Sequence, residues 1–291
     1  MVTKSPYKFG ASIAIGGAIG FLSNLLMLPE ISHYDINSKK LPESFDGIKI
    51  IQLTDLHNEV FGKNNRGLVR RVDDEKPDIV VITGDMVSHT SANVSEYIEL
   101  CRALAKKYPV YYVNGNHENS DLAPGVFDFL NNELKNAGLI CLDNRKTELE
   151  INDDVISMCG LCYSAEYYKG VREYAKAHKP FTTGAMRKYM GRLPENRFVI
   201  LLAHNPLDFD VYAYWGADVT FSGHVHGGFI RLPFVRGILS PERGLFPKYK
   251  EGVYSVKGRK LVVSRGLGSI RIFNRPEIVT VTLHRKDDQE K

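Results

Sequence analysis

Five short clusters of acidic, imidazole and amide side chains each follow an apolar run of the chain. The clusters are Asp55-Leu56-His57, Gly84-Asp85, Gly115-Asn116-His117-Glu118, Ala203-His204-Asn205 and Gly223-His224-Val225-His226. Carboxylate oxygens and imidazole nitrogens, with no thiolate among them, form a donor set that suits Mn²⁺, Fe or Zn²⁺. The clusters therefore indicate metal-ion chemistry.

The number of candidate ligands exceeds the four that a structural zinc ion takes. The candidates are Asp55, His57, Asp85, Asn116, His204, His224 and His226. A set of this size suits two metal ions that share a bridging carboxylate. Paired metal ions of this kind activate water for in-line attack on phosphorus and neutralise phosphate oxygens.

The local spacing also favours a shared site. The polar residues of the first and last clusters stand two apart, which in an extended chain projects both to one side. Glycine precedes Asp85, Asn116 and His224, as expected where the backbone turns tightly immediately before a ligand. The histidines without such neighbours are interpreted as surface or satisfied core residues, namely His33, His89, His178 and His284.

The apolar runs must be strands if they are to bring these clusters together. Residues 48–54, 78–83 and 110–114 read as buried strands, and the segments 66–75 and 94–107 between them have helical apolar spacing. Strand, helix, strand order indicates a βαβ start. The carboxyl ends of such strands form the edge at which open α/β sheets bind ligands.

The remainder of the chain predicts a mixed topology. Helical patterns cover residues 124–136 and 165–177. Strand patterns cover residues 138–142, 147–151, 155–161, 197–203, 218–222, 253–256, 261–264 and 278–283, and Asn152-Asp153-Asp154 is typical of a hairpin turn. Two facing mixed sheets flanked by helices accommodate this count.

Composition is that of a folded globular protein. The chain has 291 residues, of which 43% are hydrophobic and 25% charged, so a disordered or collagen-like chain is excluded. The net charge of +4 gives no indication of nucleic-acid binding. Cys159-x-x-Cys162 lacks the second cysteine pair of a zinc ribbon, and all four cysteines are expected to be buried thiols.

The N-terminal segment predicts a membrane anchor. Residues 9–28 carry no charged side chain, and about 20 apolar residues span a bilayer as a helix. A cleaved export signal is the alternative. Lysines before the segment and acidic residues after it place the following domain on the outer face. We therefore predict an anchor at 1–30, a linker at 31–46, a catalytic domain at 47–284 and a charged tail at 285–291.

Taken in order, the five clusters resemble the full signature of the calcineurin-like metallophosphoesterases, over residues 48–226. The resemblance implies an α/β four-layer sandwich, α/β/β/α, and two divalent metal ions. By this resemblance, Asp55, His57 and His226 hold the first metal, Asn116, His204 and His224 hold the second, and Asp85 bridges them. His117 corresponds to the catalytic histidine of the family and is not a ligand.

Segments further along the chain narrow the resemblance. Residues 227–233, 244–249 and 271–277 resemble bacterial membrane-associated or exported phosphodiesterases, a branch that includes proteins similar to UDP-2,3-diacylglucosamine pyrophosphatases. The chain does not resemble the protein serine/threonine phosphatases. Their second motif continues Gly-Asp-x-Val-Asp-Arg-Gly, whereas this chain has Ser88 in place of the second Asp.

The expected activity is hydrolysis of a phosphodiester or pyrophosphate by a metal-bridging hydroxide, with His117 assisting the leaving group. The substrate is expected to be linked to a lipid or to the cell envelope. Two alternatives stay open, a lipid-precursor pyrophosphatase on the cytoplasmic face and a non-catalytic metal-binding scaffold. Glu118 either orients His117 or is a solvated or helix-capping carboxylate. Arg265 either binds phosphate or forms a surface salt bridge.

Overall fold

The computed structural model describes residues 29–88, 93–168, 179–228, 231–232, 236–237, 248–268 and 274–286. The apolar strand runs form the centre of a first sheet, in which β2 is Lys49–Leu53, β3 is Ile79–Ile82 and β4 is Val110–Tyr112. Their side chains alternate between two apolar cores, since Ile51 and Val80 lie in one and Ile50 and Val81 in the other. This period of two is that of a strand that is buried on both faces.

The first sheet has six strands in the order β1-β14-β2-β3-β4-β5. The outer strands are β1 (Glu30–Ser38), β14 (Glu277–Arg285) and β5 (Ile140–Cys141). Strand β14 runs antiparallel to β2, and every other pair in the sheet is parallel. The sheet is therefore mixed.

The second sheet is also mixed and has six strands in the order β12-β13-β9-β8-β7-β6. Its strands are β6 (Arg145–Ile151), β7 (Asp154–Leu161), β8 (Val199–Ala203), β9 (Val219–Ser222), β12 (Gly252–Val256) and β13 (Arg259–Val263). The pairs at its two ends are antiparallel and the inner pairs are parallel. A separate antiparallel pair consists of β10 (Arg231–Leu232) and β11 (Arg236–Gly237).

Helices cover the outer face of each sheet. The helices are α1 (Arg66–Glu75), α2 (Ser95–Ala105), α3 (Asn116–Asp121), α4 (Pro124–Asn136), α5 (Thr183–Met190) and α6 (Phe209–Trp215). Leu68, Leu100 and Leu130 pack on the first sheet, while Met186 and Phe209 pack on the second. A third core lies between the sheets. The prediction of two mixed sheets flanked by helices is confirmed.

Several elements differ from the sequence prediction. The segment predicted as a linker, residues 31–46, contains most of β1, which pairs in parallel with β14 over nine residues. This strand was missed because it lies at the edge of the sheet and has one fully buried residue, so it lacks an apolar run. Helices α5 and α6 were also missed. The helix predicted over residues 165–177 begins as a single 3₁₀ turn, Ala165–Tyr167, and residues 169–178 lie outside the described part.

The predicted membrane anchor, residues 9–28, lies outside the described residues, as do His89, His178 and most of the charged tail. Across the residues that are described, no helix combines the length and apolar character needed to cross a bilayer.

Candidate metal centre

The predicted site residues follow the carboxyl ends of strands, and both sheets contribute to them. After strands of the first sheet, Asp55, His57 and Asp85 lie in loops, and Asn116 and His117 form the start of α3. The loops of the second sheet contain His204, His224 and His226. The site therefore exists only because the two sheets face each other with these edges aligned.

Asp55, His57 and His226 form one group, in which one ligand atom from each residue lies within 4.8 Å of the others. His226 Nε2 is 3.6 Å from Asp55 Oδ1 and 3.3 Å from His57 Nε2. The rings of His57 and His226 are stacked, with their centroids 5.0 Å apart. One cation can be held by donors that converge in this way.

Asp85, His204 and His224 form a second group with the same 4.8 Å limit. His204 Nε2 is 2.9 Å from Asp85 Oδ2 and 4.0 Å from Asp55 Oδ1. Asp85 also forms a group with His57 and His117, so its carboxylate lies between the two sides of the site. This position is the one that a bridging ligand requires.

A backbone contact sets the orientation of His204. Its Nδ1 lies 2.7 Å from the carbonyl oxygen of Thr83. Because a carbonyl only accepts hydrogen bonds, Nδ1 carries the proton, and Nε2 is left to face Asp85. Histidine ligands of metals are held in this way by a second hydrogen bond on the far side of the ring.

Asn116 supplies an observation that tests whether the site fits a cation. Within the described part of the chain, its buried Oδ1 has no hydrogen-bond donor. A buried acceptor that is left unsatisfied costs about 1–3 kcal/mol. A divalent cation satisfies such an oxygen, and carboxylate, imidazole and amide donors together suit Mn²⁺, Fe or Zn²⁺. The residues present therefore fit the predicted metal ions.

The backbone of the site is left-handed at five of these residues. The φ angles are 52° at Asp55, 49° at His57, 53° at Asp85, 67° at His224 and 53° at His226. The expectation that extended chain projects each Asp-x-His or His-x-His pair to one side was therefore wrong, although both pairs do converge. Left-handed residues other than glycine are uncommon and cost on the order of 1 kcal/mol each, and such strain concentrates at functional sites.

Two glycines allow the loops to approach one another. A Cβ atom on Gly115 would overlap the Asp85 carboxylate, and one on Gly223 would overlap the side chains of Thr54 and Asp55. The residues before Asn116 and His224 must therefore be glycine because any side chain there would overlap the neighbouring loop. The tight local turn expected from the sequence is a separate reason.

Burial and mutual attraction shift the ionisation of the site in the metal-free chain. Burial raises the pKa of Asp55 to about 6. Burial alone would disfavour the charged forms of Asp85 and His204, but the attraction between these two charges is stronger. The pKa of Asp85 therefore lies well below its ordinary range, and the pKa of His204 is raised to about 9. Protons on imidazoles thus offset the buried carboxylates, and bound metal ions take the place of such protons.

The sequence model of the calcineurin-like phosphoesterases matches residues 48–228, which is more than half of the chain and includes every residue of the site. The chain is a calcineurin-like phosphoesterase. This phosphoesterase is a metal-dependent hydrolase of phosphoric esters, and its family uses two divalent metal ions.

Relatives match nearly the whole length of the phosphoesterase. The metallophosphoesterase YkuE of Bacillus subtilis is 28% identical over 94% of both chains. The phosphodiesterase YaeI of Escherichia coli is 26% identical over 81% of this chain and 82% of its own. The UDP-2,3-diacylglucosamine pyrophosphatase LpxG of Chlamydia muridarum is 27% identical over 82% of this chain and 85% of its own.

Glu118 caps its own helix, since at the third position of α3 its carboxylate accepts the backbone N–H of the N-cap residue Gly115 at 2.8 Å. Its buried carboxylate accepts hydrogen bonds from the backbone N–H groups of Asp85, Met86, Val87 and Gly115, at 2.6–3.1 Å. This one side chain therefore joins the loop after β3 to the loop after β4. It sets the position of Asp85 relative to α3.

The partner of His117 is Asp121, which the sequence analysis missed. Its Oδ2 lies 2.5 Å from Nδ1 of His117. Both residues belong to α3, and residues four apart in a helix share a face. The i, i+4 spacing was the available signal, but a helix of six residues has too little periodicity to be recognised in sequence.

Tyr168 is a second residue that the sequence analysis missed. It is buried, and its ring centroid lies 5.2 Å from that of His224 and 6.4 Å from that of His204. The tyrosine therefore packs against two imidazoles of the site. It lies in the stretch predicted as a helix, residues 165–177, and no local pattern identified it as a site residue.

Other candidates have partners or positions that do not involve the site chemistry. Arg265 is only 7% exposed and forms ion pairs with Glu30, Glu251 and Glu277, so it is neither at the surface nor available to phosphate. All four cysteines are free, with Cys101 and Cys159 buried and Cys141 and Cys162 half-buried. Among the histidines set aside, His33 pairs with Glu75 and His284 with Asp35 and Asp46, on the surface.

Proposed function

We propose that the phosphoesterase hydrolyses a phosphodiester or a pyrophosphate at a dinuclear metal centre. The observation that carries this proposal is the convergence of two ligand groups with Asp85 between them. Asp55, His57 and His226 are assigned to one metal and Asn116, His204 and His224 to the other, with Asp85 bridging. The two ligand groups support these assignments for the carboxylates and imidazoles. The support for Asn116 is the resemblance and its buried Oδ1, which has no donor within the described residues.

Two cations held here would lower the pKa of a shared water and neutralise phosphate oxygens. The chain itself supplies His117, whose ring meets that of His57 edge to face at 5.0 Å. Its Nε2 lies 3.8 Å from Asp85 Oδ2, which is too far for a hydrogen bond. This nitrogen therefore faces the site without being hydrogen-bonded to Asp85. Proton donation from Nε2 to the leaving oxygen is worth ~10²–10⁴-fold in rate.

Turnover of bis(p-nitrophenyl) phosphate with Mn²⁺ tests this assignment. His117→Ala should lower kcat by ~10²–10⁴-fold, and Asp85→Ala should abolish metal-dependent turnover. His33→Ala is the matched control, because His33 lies on the surface against Glu75. Undiminished turnover in both site variants would reject the proposal.

The preference for a diester or pyrophosphate is supported by the relatives, since YaeI is a phosphodiesterase and LpxG a pyrophosphatase of a lipid-linked nucleotide sugar. We extend this to a substrate that is linked to a lipid or to the cell envelope. Assay of the purified enzyme against nucleotide-sugar lipids, phospholipids, teichoic-acid fragments and cyclic nucleotides tests this choice. Hydrolysis of cyclic nucleotides alone would contradict it.

For location, we propose a single-pass membrane protein with residues 1–30 as anchor and the catalytic domain on the outer face. The support is the uncharged stretch 9–28 and the lysines before it. Protease treatment of intact cells should digest the domain. Full protection that is lost on lysis would instead place it on the cytoplasmic face, where the alternative lipid-precursor pyrophosphatase would act.

A further inference from the structure

Two acidic side chains of α3 lie next to the site, and they have different partners. The Glu118 carboxylate accepts hydrogen bonds from four backbone N–H groups, those of residues 85–87 and 115. Asp121 lies one turn after His117 on the same face of α3, and its Oδ2 is 2.5 Å from His117 Nδ1. The carboxylate at Nδ1 of the catalytic imidazole is therefore that of Asp121, while the Asp85 carboxylate lies on the Nε2 side at 3.8 Å.

The second motif of the chain does not supply such a carboxylate. Its residue Ser88 carries a hydroxyl, and its backbone N–H donates to Asn58 Oδ1 at 2.5 Å. The negative charge beside His117 Nδ1 thus comes from the helix that contains the histidine itself.

Three contacts determine which ring nitrogen of His117 faces the site. The backbone N–H of His117 donates to Asp85 Oδ1 at 2.9 Å, which fixes the residue over that carboxylate. Nδ1 points to Asp121, and Nε2 points to the Asp85 side of the site, 3.8 Å from Oδ2. A carboxylate accepts a hydrogen bond, so it favours the ring form with the proton on Nδ1.

From these contacts, we infer that Asp121 is a positioning residue for His117. Its carboxylate holds Nδ1 protonated and aims Nε2 at the leaving oxygen of the substrate. When Nε2 gives its proton to that oxygen, the ring keeps the Nδ1 proton and returns to the neutral form that Asp121 stabilises. Asp121 touches neither substrate nor reacting atoms, and the inference rests on the proposed function of His117.

The test compares Asp121→Asn, Asp121→Glu, His117→Ala and the double variant His117→Ala/Asp121→Asn. Asp128→Asn is the matched control, an exposed acid on the next helix, α4. Each protein is assayed with Mn²⁺ on bis(p-nitrophenyl) phosphate and on diphenyl phosphate, whose leaving group is poorer and depends more on protonation.

Asp121→Asn should lower kcat on diphenyl phosphate by about 10–100-fold, the range for partners that orient a functional histidine. The loss should be smaller on bis(p-nitrophenyl) phosphate, KM should be unchanged, and Asp121→Glu should recover part of the activity. The double variant should be no slower than His117→Ala. Equal losses on both substrates, or a further loss in the His117→Ala background, would overturn the inference.

A readout without turnover separates this inference from the proposed function. In ¹⁵N NMR spectra of the metal-free protein at a pH at which the His117 ring is neutral, the ring should carry its proton on Nδ1 in the wild type and show a mixture of both neutral forms in Asp121→Asn. An unchanged ring spectrum would overturn the positioning role even in an active enzyme. Absence of metal-dependent turnover in the wild type would instead overturn the proposed function alone.

Discussion

Two groups of carboxylates in the described part of the chain have their charge balanced by different partners. In the arginine cluster, defined as Arg265, Glu30, Glu251 and Glu277, a guanidinium lies among three acids at 3.1–3.5 Å. In the metal cluster, defined as Asp55, His57, Asp85, His204, His224 and His226, the neighbours of the two acids are imidazoles. The first cluster contains a permanent cation, whereas the second contains groups that gain or lose protons.

This difference identifies the functional cluster better than burial does. Glu277 and Asp85 are both almost fully buried. Glu277, however, also accepts hydrogen bonds from Ser32 Oγ at 2.5 Å and from the backbone N–H of Arg265 at 2.7 Å, so its charge is satisfied within the fold. The metal cluster has left-handed backbone, and Asn116 Oδ1, next in sequence to His117, has no donor within the described residues. These features fit a site that binds added cations.

The largest expected effect is that of Asp85→Asn, which removes the carboxylate between the two ligand groups. Loss of a partner that only orients a ligand costs about 10–100-fold, so we expect a loss of activity greater than 100-fold here. Metal binding also stabilises a folded protein, by about 2.7 kcal/mol at a hundred times Kd. Thermal unfolding with and without Mn²⁺ should show this stabilisation in the wild type and little of it in Asp85→Asn.

A variant of the arginine cluster should behave in the opposite way. Arg265→Met leaves Glu277 buried without its cation, and breaking a buried pair on one side costs about 3–5 kcal/mol of unfolding free energy. The double variant Arg265→Met/Glu277→Gln should recover part of this loss, as measured by urea unfolding. If Arg265→Met lost its Mn²⁺-induced stabilisation but kept its metal-free stability, the proposed division between the two clusters would be wrong.

An intermediate effect is expected for Glu118→Gln. The amide nitrogen of glutamine cannot accept hydrogen bonds, so at least one backbone N–H of the loops around Asp85 loses its partner, at a cost of about 1–3 kcal/mol. Urea unfolding measures this cost, and Glu99→Gln on the exposed face of α2 is the control. Equal stabilities of the two variants would show that the loops do not depend on Glu118.

The smallest effect is expected for an exposed ion pair. Lys248 lies 2.9 Å from Asp210, and both side chains are at least 60% exposed. Exposed pairs contribute about 0–1 kcal/mol, so Asp210→Asn should barely shift the urea midpoint and should leave Mn²⁺ binding unchanged. A loss comparable to that of Arg265→Met would mean that burial does not distinguish the ion pairs of this protein.

Much of the fold could be predicted because the central strands are buried on both faces. Their continuous apolar runs and the amphipathic helices between them gave α1 and α4 with their observed bounds, and β2 and β3 to within one or two residues. Strand β1 could not be recognised, since its stability comes from pairing with β14, which is distant in the chain by more than 240 residues.

The sequence by itself determined which residue types could form a metal site and that they follow strands, because donor chemistry and apolar periodicity are local properties. The tertiary structure decided how those residues meet. The Asp-x-His and His-x-His pairs converge through left-handed backbone. Glu118 accepts hydrogen bonds from two loops, and the Asp121 carboxylate contacts Nδ1 of His117. Such contacts depend on the alignment of two sheets and on the backbone conformation of single residues, and neither is encoded in local periodicity.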